Sequence, residues 1–238
     1  MLTATAKKSF ACQKEFLKVG LFIDLEGLDG CGKTTQTELL CKKLEERGVN
    51  FKKIKLPDYE NESSILVRKY LRGDFGKNVG DVNAYAASLL YSVDRFASFT
   101  EHWKSDYLNG TLIISDRYTP ANAIYQITKL EKSEWDSFLD WLFDIEYNKI
   151  GIPAPDKVIF LDMPVSVSQK LMTERYHGDE KKKDVHEANV SYLNHCRDAA
   201  LYVAKKYNWI VIDCAKNGEP LSIEEINGKI LDAVLSIM

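Results

Sequence analysis

The amino-acid sequence predicts an α/β fold in which a parallel β-sheet is covered by helices on both faces. Short apolar segments typical of buried strands alternate with longer segments of helical periodicity throughout the chain. A glycine-rich segment, residues 27–34, joins the first of these strands to the first helix. Because open parallel sheets bind ligands at the carboxyl ends of their strands, we expect functional residues directly after strands.

Composition favours one globular domain. The 238 residues include no linker rich in Pro, Gly or Ser, and we expect a single domain at 19–238 behind an N-terminal extension at 1–18. A net charge of −3 supplies no global basic field, so we expect no nucleic-acid partner. No apolar segment is long enough to span a membrane. The five cysteines form no C-x-x-C pair, which favours reduced thiols and a cytoplasmic location.

The first half of the chain contains three predicted strands. The first helix places Leu40 and Leu44 on one face and stops at Gly48, and Asn109-Gly110 ends the long helix. The third strand is almost entirely apolar, which is typical of a buried parallel strand. In chain order, we predict a strand at 21–25, a helix at 33–47, a strand at 49–56, a short helix capped by Ser63 or Ser64, a helix at 81–108 and a strand at 111–115.

The second half continues the alternation of helices and strands. Two helices precede a turn that contains Pro153 and Pro155, and a polar segment separates the next two helices. In chain order, we predict helices at 119–129 and 133–147, a strand at 158–162, helices at 165–176 and 188–207, a strand at 209–213 and a helix from 223 to the end.

Residues 27–34 fit the pattern G-x-x-x-x-G-K-[ST], which is typical of a loop that binds phosphate. Glycines let successive backbone N–H groups turn inward around a polyphosphate at the start of a helix. Lys33 would reach the β- and γ-phosphates, and the Thr34 hydroxyl would bind Mg²⁺. Cys31 is either a small packing residue or a thiol biased towards thiolate by the helix N-terminus. The residues predicted to bind the nucleotide are Gly27, Asp29, Gly30, Cys31, Gly32, Lys33, Thr34 and Thr35.

Charged residues also follow the strand at 111–115. Asp116 could hold Mg²⁺ and Arg117 could bind a phosphoryl group, although the pair could also form a surface salt bridge. Asp29 lies inside the phosphate loop, where its carboxylate would repel a triphosphate. It could therefore face a second substrate, or it could only shape the turn.

Two further segments are ambiguous on their own. Tyr91 and Arg95 share a helix face and could bind a nucleobase, but their spacing alone favours a core tyrosine and a solvated arginine. Residues 175–183 are polar and basic, and they could form either a lid over phosphates or a solvated hairpin.

Several segments together resemble the thymidylate kinases, which transfer the γ-phosphoryl group of ATP to dTMP. The resemblance covers the chain from about residue 19 to the C-terminus. It depends on 25–35 (L-E-G-L-D-G-C-G-K-T-T), 91–95 (Y-S-V-D-R), 116–118 (D-R-Y) with Asn122 and Tyr125-Gln126, and 155–156 (P-D) before the strand at 158–162.

The resemblance implies a three-layer P-loop NTPase fold, with a five-stranded parallel sheet flanked by helices and a small LID at about 175–187. It implies that ATP and Mg²⁺ are used to convert dTMP to dTDP, a step of nucleotide biosynthesis, in a homodimer. Asp29 would bind the deoxyribose 3′-hydroxyl and Tyr91 would stack on thymine. Arg95 would donate a hydrogen bond to the base and could also contact the acceptor phosphate. Asn122 and Tyr125 would line the deoxynucleoside pocket, where the bulk of Tyr125 would disfavour a 2′-hydroxyl.

The sequence departs from the family pattern at its arginines. Many members have an arginine where this chain has Tyr59, and Arg68 or Arg72 could supply that contact with the acceptor phosphate. The phosphate loop contains no arginine, so the catalytic cation is expected in the LID, at Arg175 or among the lysines of 181–183. The predicted catalytic residues are Asp29, Lys33, Asp116, Arg117 and Arg175.

Two other functions stay open on the sequence. One is a kinase for another deoxynucleoside monophosphate or for a deoxynucleoside, because Tyr59 and the LID are unusual. The other is a nucleotide-binding switch that transfers no phosphate to a small molecule. The segment 148–151 begins like the guanine-reading N-K-x-D motif, but Gly151 cannot supply its carboxylate.

Overall fold

A computed structural model describes residues 19–175 and 190–238. The N-terminal extension predicted at 1–18 lies outside these residues. Of the LID predicted at 175–187, only the backbone of Arg175 is described, at the end of a helix. The proposals for the Arg175 side chain and for the lysines of 181–183 therefore fall outside the described part of the chain.

The centre of the fold is a five-stranded sheet in the order β2-β3-β1-β4-β5, with every neighbouring pair parallel. The predicted α/β fold with a five-stranded parallel sheet is confirmed. The third strand ends one residue later than expected, so Asp116 is its last residue. The strands are β1 (Phe22–Gly27), β2 (Phe51–Lys55), β3 (Leu112–Asp116), β4 (Lys157–Asp162) and β5 (Ile210–Asp213).

Helices connect the strands. The long predicted helix forms α3 and α4, which a π-helical segment, Phe99–Trp103, joins. A second π-helical segment, Asp144–Ile150, follows α6. The helices are α1 (Lys33–Glu45), α2 (Ile65–Leu71), α3 (Ala84–Ser98), α4 (Lys104–Leu108), α5 (Thr119–Tyr125), α6 (Trp135–Phe143), α7 (Val165–Arg175), α8 (Val190–Tyr207) and α9 (Ile223–Leu235).

Two local details differ from the predictions. Neither Ser63 nor Ser64 caps α2 through its side chain; Asn61 instead accepts a hydrogen bond from the Ser63 N–H and begins a 3₁₀ turn before the helix. The Ser63 hydroxyl is occupied elsewhere, because it donates to Asp94. A short hairpin, β6 (Ala215–Lys216) and β7 (Glu219–Pro220), follows β5 and was not predicted.

Both faces of the sheet are covered, as the apolar character of its strands requires. On one face, Leu40 and Leu44 of α1 and Ile230 of α9 pack against Ile23 and Leu25 of β1. Aromatic rings dominate the second face: the Phe22 ring contacts those of Trp103 and Tyr118 at centroid distances of 5.4 Å and 4.8 Å.

This packing holds the carboxyl ends of β1, β2 and β3 side by side, with Asp116 opposite both Leu25 and Lys55. Among the described helices, none is long and apolar enough to cross a membrane.

Candidate active site

A cleft of about 350 Å³ opens at the carboxyl ends of β1, β2 and β3. The cleft brings together the phosphate loop, the charged residues at the end of β3 and one face of α3. All the residues predicted for the site line it except Gly27, whose carbonyl oxygen accepts from Lys33, and Arg175, whose side chain is not described. Segments that are far apart in the sequence therefore form one site.

The phosphate loop has the backbone conformation that its glycines predict. Gly30 and Gly32 have φ values of 76° and 82°, in the left-handed region that glycine tolerates best. The Lys33 ammonium group donates to the Gly27 carbonyl oxygen at 3.1 Å, which holds it inside the loop. A Cβ atom at Gly30 would lie 2.7 Å from the Met172 side chain of α7, so a larger residue here would also have to displace that side chain.

Cys31 is a packing residue. Its side chain is 2% exposed, and a Cβ atom at Gly27 would lie 2.6 Å from its sulfur. Burial raises the pKa of the Cys31 thiol, and this effect exceeds the opposing influence of Lys33. The hypothesis of a thiol biased towards thiolate is therefore wrong.

Thr34 and Asp116 place two oxygen atoms together at the start of α1. The Thr34 hydroxyl donates to Asp116 Oδ2 at 3.0 Å, and Asp116 is 4% exposed. Arg117 pairs with Asp29, so Asp116 and Arg117 do not form a surface salt bridge with each other. A hydroxyl and one carboxylate suit Mg²⁺, which proteins bind largely through water and substrate phosphates. In the described part of the chain, no group of three or more His, Cys, Asp or Glu side chains forms a metal cluster.

Asp29, Arg117 and Tyr125 form a polar network across the cleft. Arg117 Nη2 donates to Asp29 Oδ1, the Tyr125 hydroxyl donates to Asp29 Oδ2 at 3.0 Å, and the guanidinium lies 5.3 Å from the centre of the Tyr125 ring. Burial alone would raise the pKa of Asp29, but Arg117, Lys33 and Tyr125 together lower it. The Asp29 side chain is therefore held towards Arg117 and Tyr125, and it does more than shape a turn.

The backbone at Arg117 is held from β1. Arg117 has a φ of 74°, which is uncommon for a residue other than glycine. The Arg117 N–H donates to the Leu25 carbonyl oxygen at 3.2 Å, and the Tyr118 N–H donates to Glu26 Oε1 at 3.0 Å. Glu26 therefore stabilises the turn that directs Arg117 towards Asp29.

Arg95 is not the solvated arginine that its spacing favours. Its side chain is 3% exposed and forms an ion pair with the fully buried carboxylate of Glu146, which also accepts from the hydroxyls of Ser92 and Thr119. Arg95 Nε donates to Glu146 Oε2 at 3.0 Å and Nη2 donates to Oε1, so the guanidinium has a fixed orientation. One turn earlier, the ring of Tyr91 lines the same cleft.

The loop after β2 forms another wall of the cleft. Asp94 accepts hydrogen bonds from the Asp58 N–H at 3.0 Å and from the Ser63 hydroxyl, and so attaches this loop to α3. Arg68 donates to the Tyr59 carbonyl oxygen at 2.5 Å, while Arg72 pairs with Asp74. Neither arginine lines the cleft, so the prediction that one of them contacts the acceptor phosphate is not supported.

Comparison with known proteins identifies the family. The family model described as thymidylate kinase matches residues 25–226. The chain belongs to the thymidylate kinase family.

Similar proteins cover almost the whole chain. A probable thymidylate kinase of Thermococcus gammatolerans is 30% identical over 219 residues, which are 91% of this chain and 96% of that protein. A thymidylate kinase of Prochlorococcus marinus is 29% identical over the same shares of both proteins. The solved structure of the Candida albicans thymidylate kinase has a TM-score of 0.66, 24% identity and 92% coverage of both chains, and it supports the fold. Membership in the thymidylate kinase family makes the chain a nucleoside monophosphate kinase rather than a nucleotide-binding switch.

Sequence reasoning missed several residues that build this thymidylate kinase site. Glu26 carried a signal, since a carboxylate stands out in an apolar strand directly before the phosphate loop. Glu146 carried none, because it lies in a polar helical segment 51 residues from Arg95. Lys55 looked like an ordinary surface charge, and Asp94 belonged to the 91–95 motif but had no assigned role. Only the fold places them at the cleft.

Proposed function

We propose that the chain transfers the γ-phosphoryl group of ATP to dTMP, with Mg²⁺, and releases ADP and dTDP. The observation that carries this proposal is the meeting, in one cleft, of a phosphate loop and the Asp29–Arg117–Tyr125 network in a thymidylate kinase family member. The loop supplies a site for the donor nucleotide, and the network supplies one for a deoxynucleotide.

On the donor side, backbone N–H groups of the loop and Lys33 would bind the ATP phosphates. Lys33 already lies inside the loop, 3.1 Å from the Gly27 carbonyl oxygen. Thr34 and Asp116 would hold Mg²⁺, directly or through water. The ion would neutralise charge on the phosphates, as in other phosphoryl transfers.

On the acceptor side, we propose the roles that the resemblance to the thymidylate kinases implies for residues that line the cleft. Tyr91 would stack on thymine, and Arg95, oriented by Glu146, would donate a hydrogen bond to the base. Asn122 and Tyr125 would line the sugar pocket, where Asp29 would accept a hydrogen bond from the 3′-hydroxyl. Asn122 is 2% exposed and its amide donates to the Ser88 carbonyl oxygen at 3.3 Å, so its position is fixed.

The transfer itself needs no protein nucleophile. An acceptor phosphate oxygen attacks the γ-phosphorus in line, and the bond to the ADP oxygen breaks. Lys33 and Arg117 would stabilise the negative charge that spreads over the transferred group. The LID expected at 175–187 and the catalytic role expected for Arg175 stay predictions, because 176–187 and the Arg175 side chain lie outside the described part of the chain.

An acceptor panel tests the proposed activity. The chain is assayed for ADP production with ATP, Mg²⁺ and dTMP, dCMP, dGMP or thymidine in turn. We expect dTMP to give the highest kcat/KM and chelation of Mg²⁺ to abolish turnover. A higher kcat/KM for another monophosphate or for thymidine would contradict the proposal, as would ADP production that needs no acceptor.

We propose a homodimer that forms through α3. The small residues Ala84 and Ala87 are buried within the chain, whereas larger apolar side chains form an exposed stripe on α3. The stripe contains Leu89, Val93, which is 52% exposed, and Phe96. Val93→Glu should convert the dimer to a monomer in sedimentation experiments. A monomeric wild-type chain would contradict the proposal.

The cysteines support a cytoplasmic location, which we propose for this enzyme. The four described cysteines, Cys31, Cys41, Cys196 and Cys214, are all free and buried. Reduced thiols of this kind are typical of proteins in a reducing compartment. Fractionation of the source cells with an antibody against the chain tests this proposal; recovery with an oxidising compartment would contradict it.

A further inference from the structure

Lys55 lies at the point where the two substrates would meet. It is the last residue of β2, and the sheet register places it opposite Asp116 of β3. Its side chain lines the cleft, and its ammonium group lies 4.0 Å from Asp116 Oδ2. The loop that carries Asp58 and Tyr59 follows two residues later, so Lys55 lies between the predicted Mg²⁺ ligands and the acceptor wall.

The other cations of the cleft already have close partners. Arg95 is paired with Glu146, Arg117 with Asp29, and Lys33 donates to the Gly27 carbonyl oxygen. Lys55 differs from them: its side chain is 56% exposed, and among residues 19–175 and 190–238 its only close charge contact is the 4.0 Å approach to Asp116.

The two arginines predicted to take the place of an arginine at Tyr59 do not line the cleft. Tyr59 occupies the position where the family pattern often has arginine. Arg68 donates to the Tyr59 carbonyl oxygen, Arg72 pairs with Asp74, and neither of these arginines lines the cleft. A lysine has a flexible stem and a compact charge, and it binds phosphate as a point charge.

We propose that Lys55 binds the acceptor phosphate of the monophosphate substrate and takes the place of the absent arginine. This inference rests on the proposed function. Lys55 is then a catalytic residue that contacts the group attacking ATP, and its charge would offset the repulsion between the acceptor phosphate and the γ-phosphate. The alternative is that Lys55 only stabilises Asp116, in which case it would affect the nucleotide and Mg²⁺ rather than the acceptor.

The chain offers a matched control for this inference. Lys53 lies two residues earlier on the same strand and therefore on the same face, is exposed and does not line the cleft. Lys55→Met and Lys53→Met remove the same charge and add the same side chain. Dissociation constants for dTMP, for thymidine, which lacks the phosphate, and for ATP with Mg²⁺ are measured by calorimetry for both variants and for wild type. Circular dichroism establishes that the variants are folded.

Lys55→Met should weaken dTMP binding at least tenfold and change thymidine binding less than twofold. Lys53→Met should change neither, and Lys55→Arg should recover most of the dTMP affinity. Equal dTMP affinities of the two methionine variants would overturn the inference. So would equal losses for dTMP and thymidine, or a loss confined to ATP and Mg²⁺.

The acceptor panel separates failure of the inference from failure of the proposed function. If wild type prefers another monophosphate, the proposed substrate is wrong, and the comparison is repeated with that monophosphate and its nucleoside. If Lys55→Met then lost affinity for the monophosphate but not for its nucleoside, Lys55 would still be supported as the phosphate ligand. Equal affinity losses for the two, or no loss, would overturn the inference.

Discussion

The buried ion pair of Arg95 and Glu146 offers the sharpest test of how this site is built. Its side chains are 3% and 0% exposed, and Glu146 also accepts from Thr119 at 3.3 Å and from Ser92. Glu146→Leu would leave the Arg95 guanidinium buried without a countercharge. Removing one partner of a buried pair costs about 3–5 kcal/mol of unfolding free energy. For a chain of this length, such a loss lowers the melting temperature by about 6–20 °C.

A double-mutant cycle separates the ion pair from the loss of packing. Arg95→Met, Glu146→Leu and the double variant are unfolded in urea and followed by circular dichroism. Because the double variant buries no unpaired charge, it should be more stable than the sum of the single changes predicts, with a coupling energy of about 2–3 kcal/mol. An exposed ion pair serves as the control. Lys170 and Glu219 approach to 3.2 Å at the surface, so Glu219→Gln should lower the free energy of unfolding by less than about 1 kcal/mol. Additive effects at Arg95 and Glu146, or a loss no larger than that of the control, would refute the reasoning.

Three further predictions concern β1, the phosphate loop and the sugar pocket. Burial, with the nearby Glu26 carboxylate, raises the pKa of Asp24, so Asp24 takes up a proton on folding. The wild type should therefore lose stability relative to Asp24→Asn as the pH rises above about 4, by at most about 1.4 kcal/mol per pH unit. Parallel stability profiles of the two proteins in urea between pH 4 and 8 would contradict this. Gly32→Ala should lower the free energy of unfolding by about 1–2 kcal/mol, because residue 32 has a left-handed backbone conformation. Gly30→Ala should lower it more, because the new Cβ would also contact α7. Urea midpoints in the opposite order would count against this geometry. Tyr125→Ala should raise the turnover of ribo-TMP relative to dTMP about tenfold. Tyr125→Phe keeps the ring and should preserve the ratio. Equal ratios in the two variants would disprove the hypothesis that the bulk of Tyr125 disfavours the 2′-hydroxyl.

Local patterns were sufficient for the elements of the fold. The predicted strands match β1 to β5 to within two residues at each end, because an apolar run bounded by turn residues is a property of a short segment. The phosphate loop was equally accessible, since its glycines, Lys33 and Thr34 lie within eight consecutive residues. The predicted details that proved wrong depend on which of several nearby groups a side chain forms its hydrogen bond with. Ser63 donates to Asp94 instead of capping α2, and no pattern within the helix reveals that partner.

The sequence by itself determined the order of the elements, the phosphate loop and, through the resemblance, the family. The tertiary structure decided which charges are available to a substrate. It pairs Arg117 with Asp29, which is 88 residues away in the sequence, and Thr34 with Asp116, which is 82 residues away. It also buries Arg95 together with Glu146. The physical reason is that the pairing and burial of a charge depend on all the segments that meet around it, whereas a sequence pattern records only its neighbours along the chain. Lys55, an ordinary exposed lysine in the sequence, becomes the candidate phosphate ligand only because β2 ends beside Asp116.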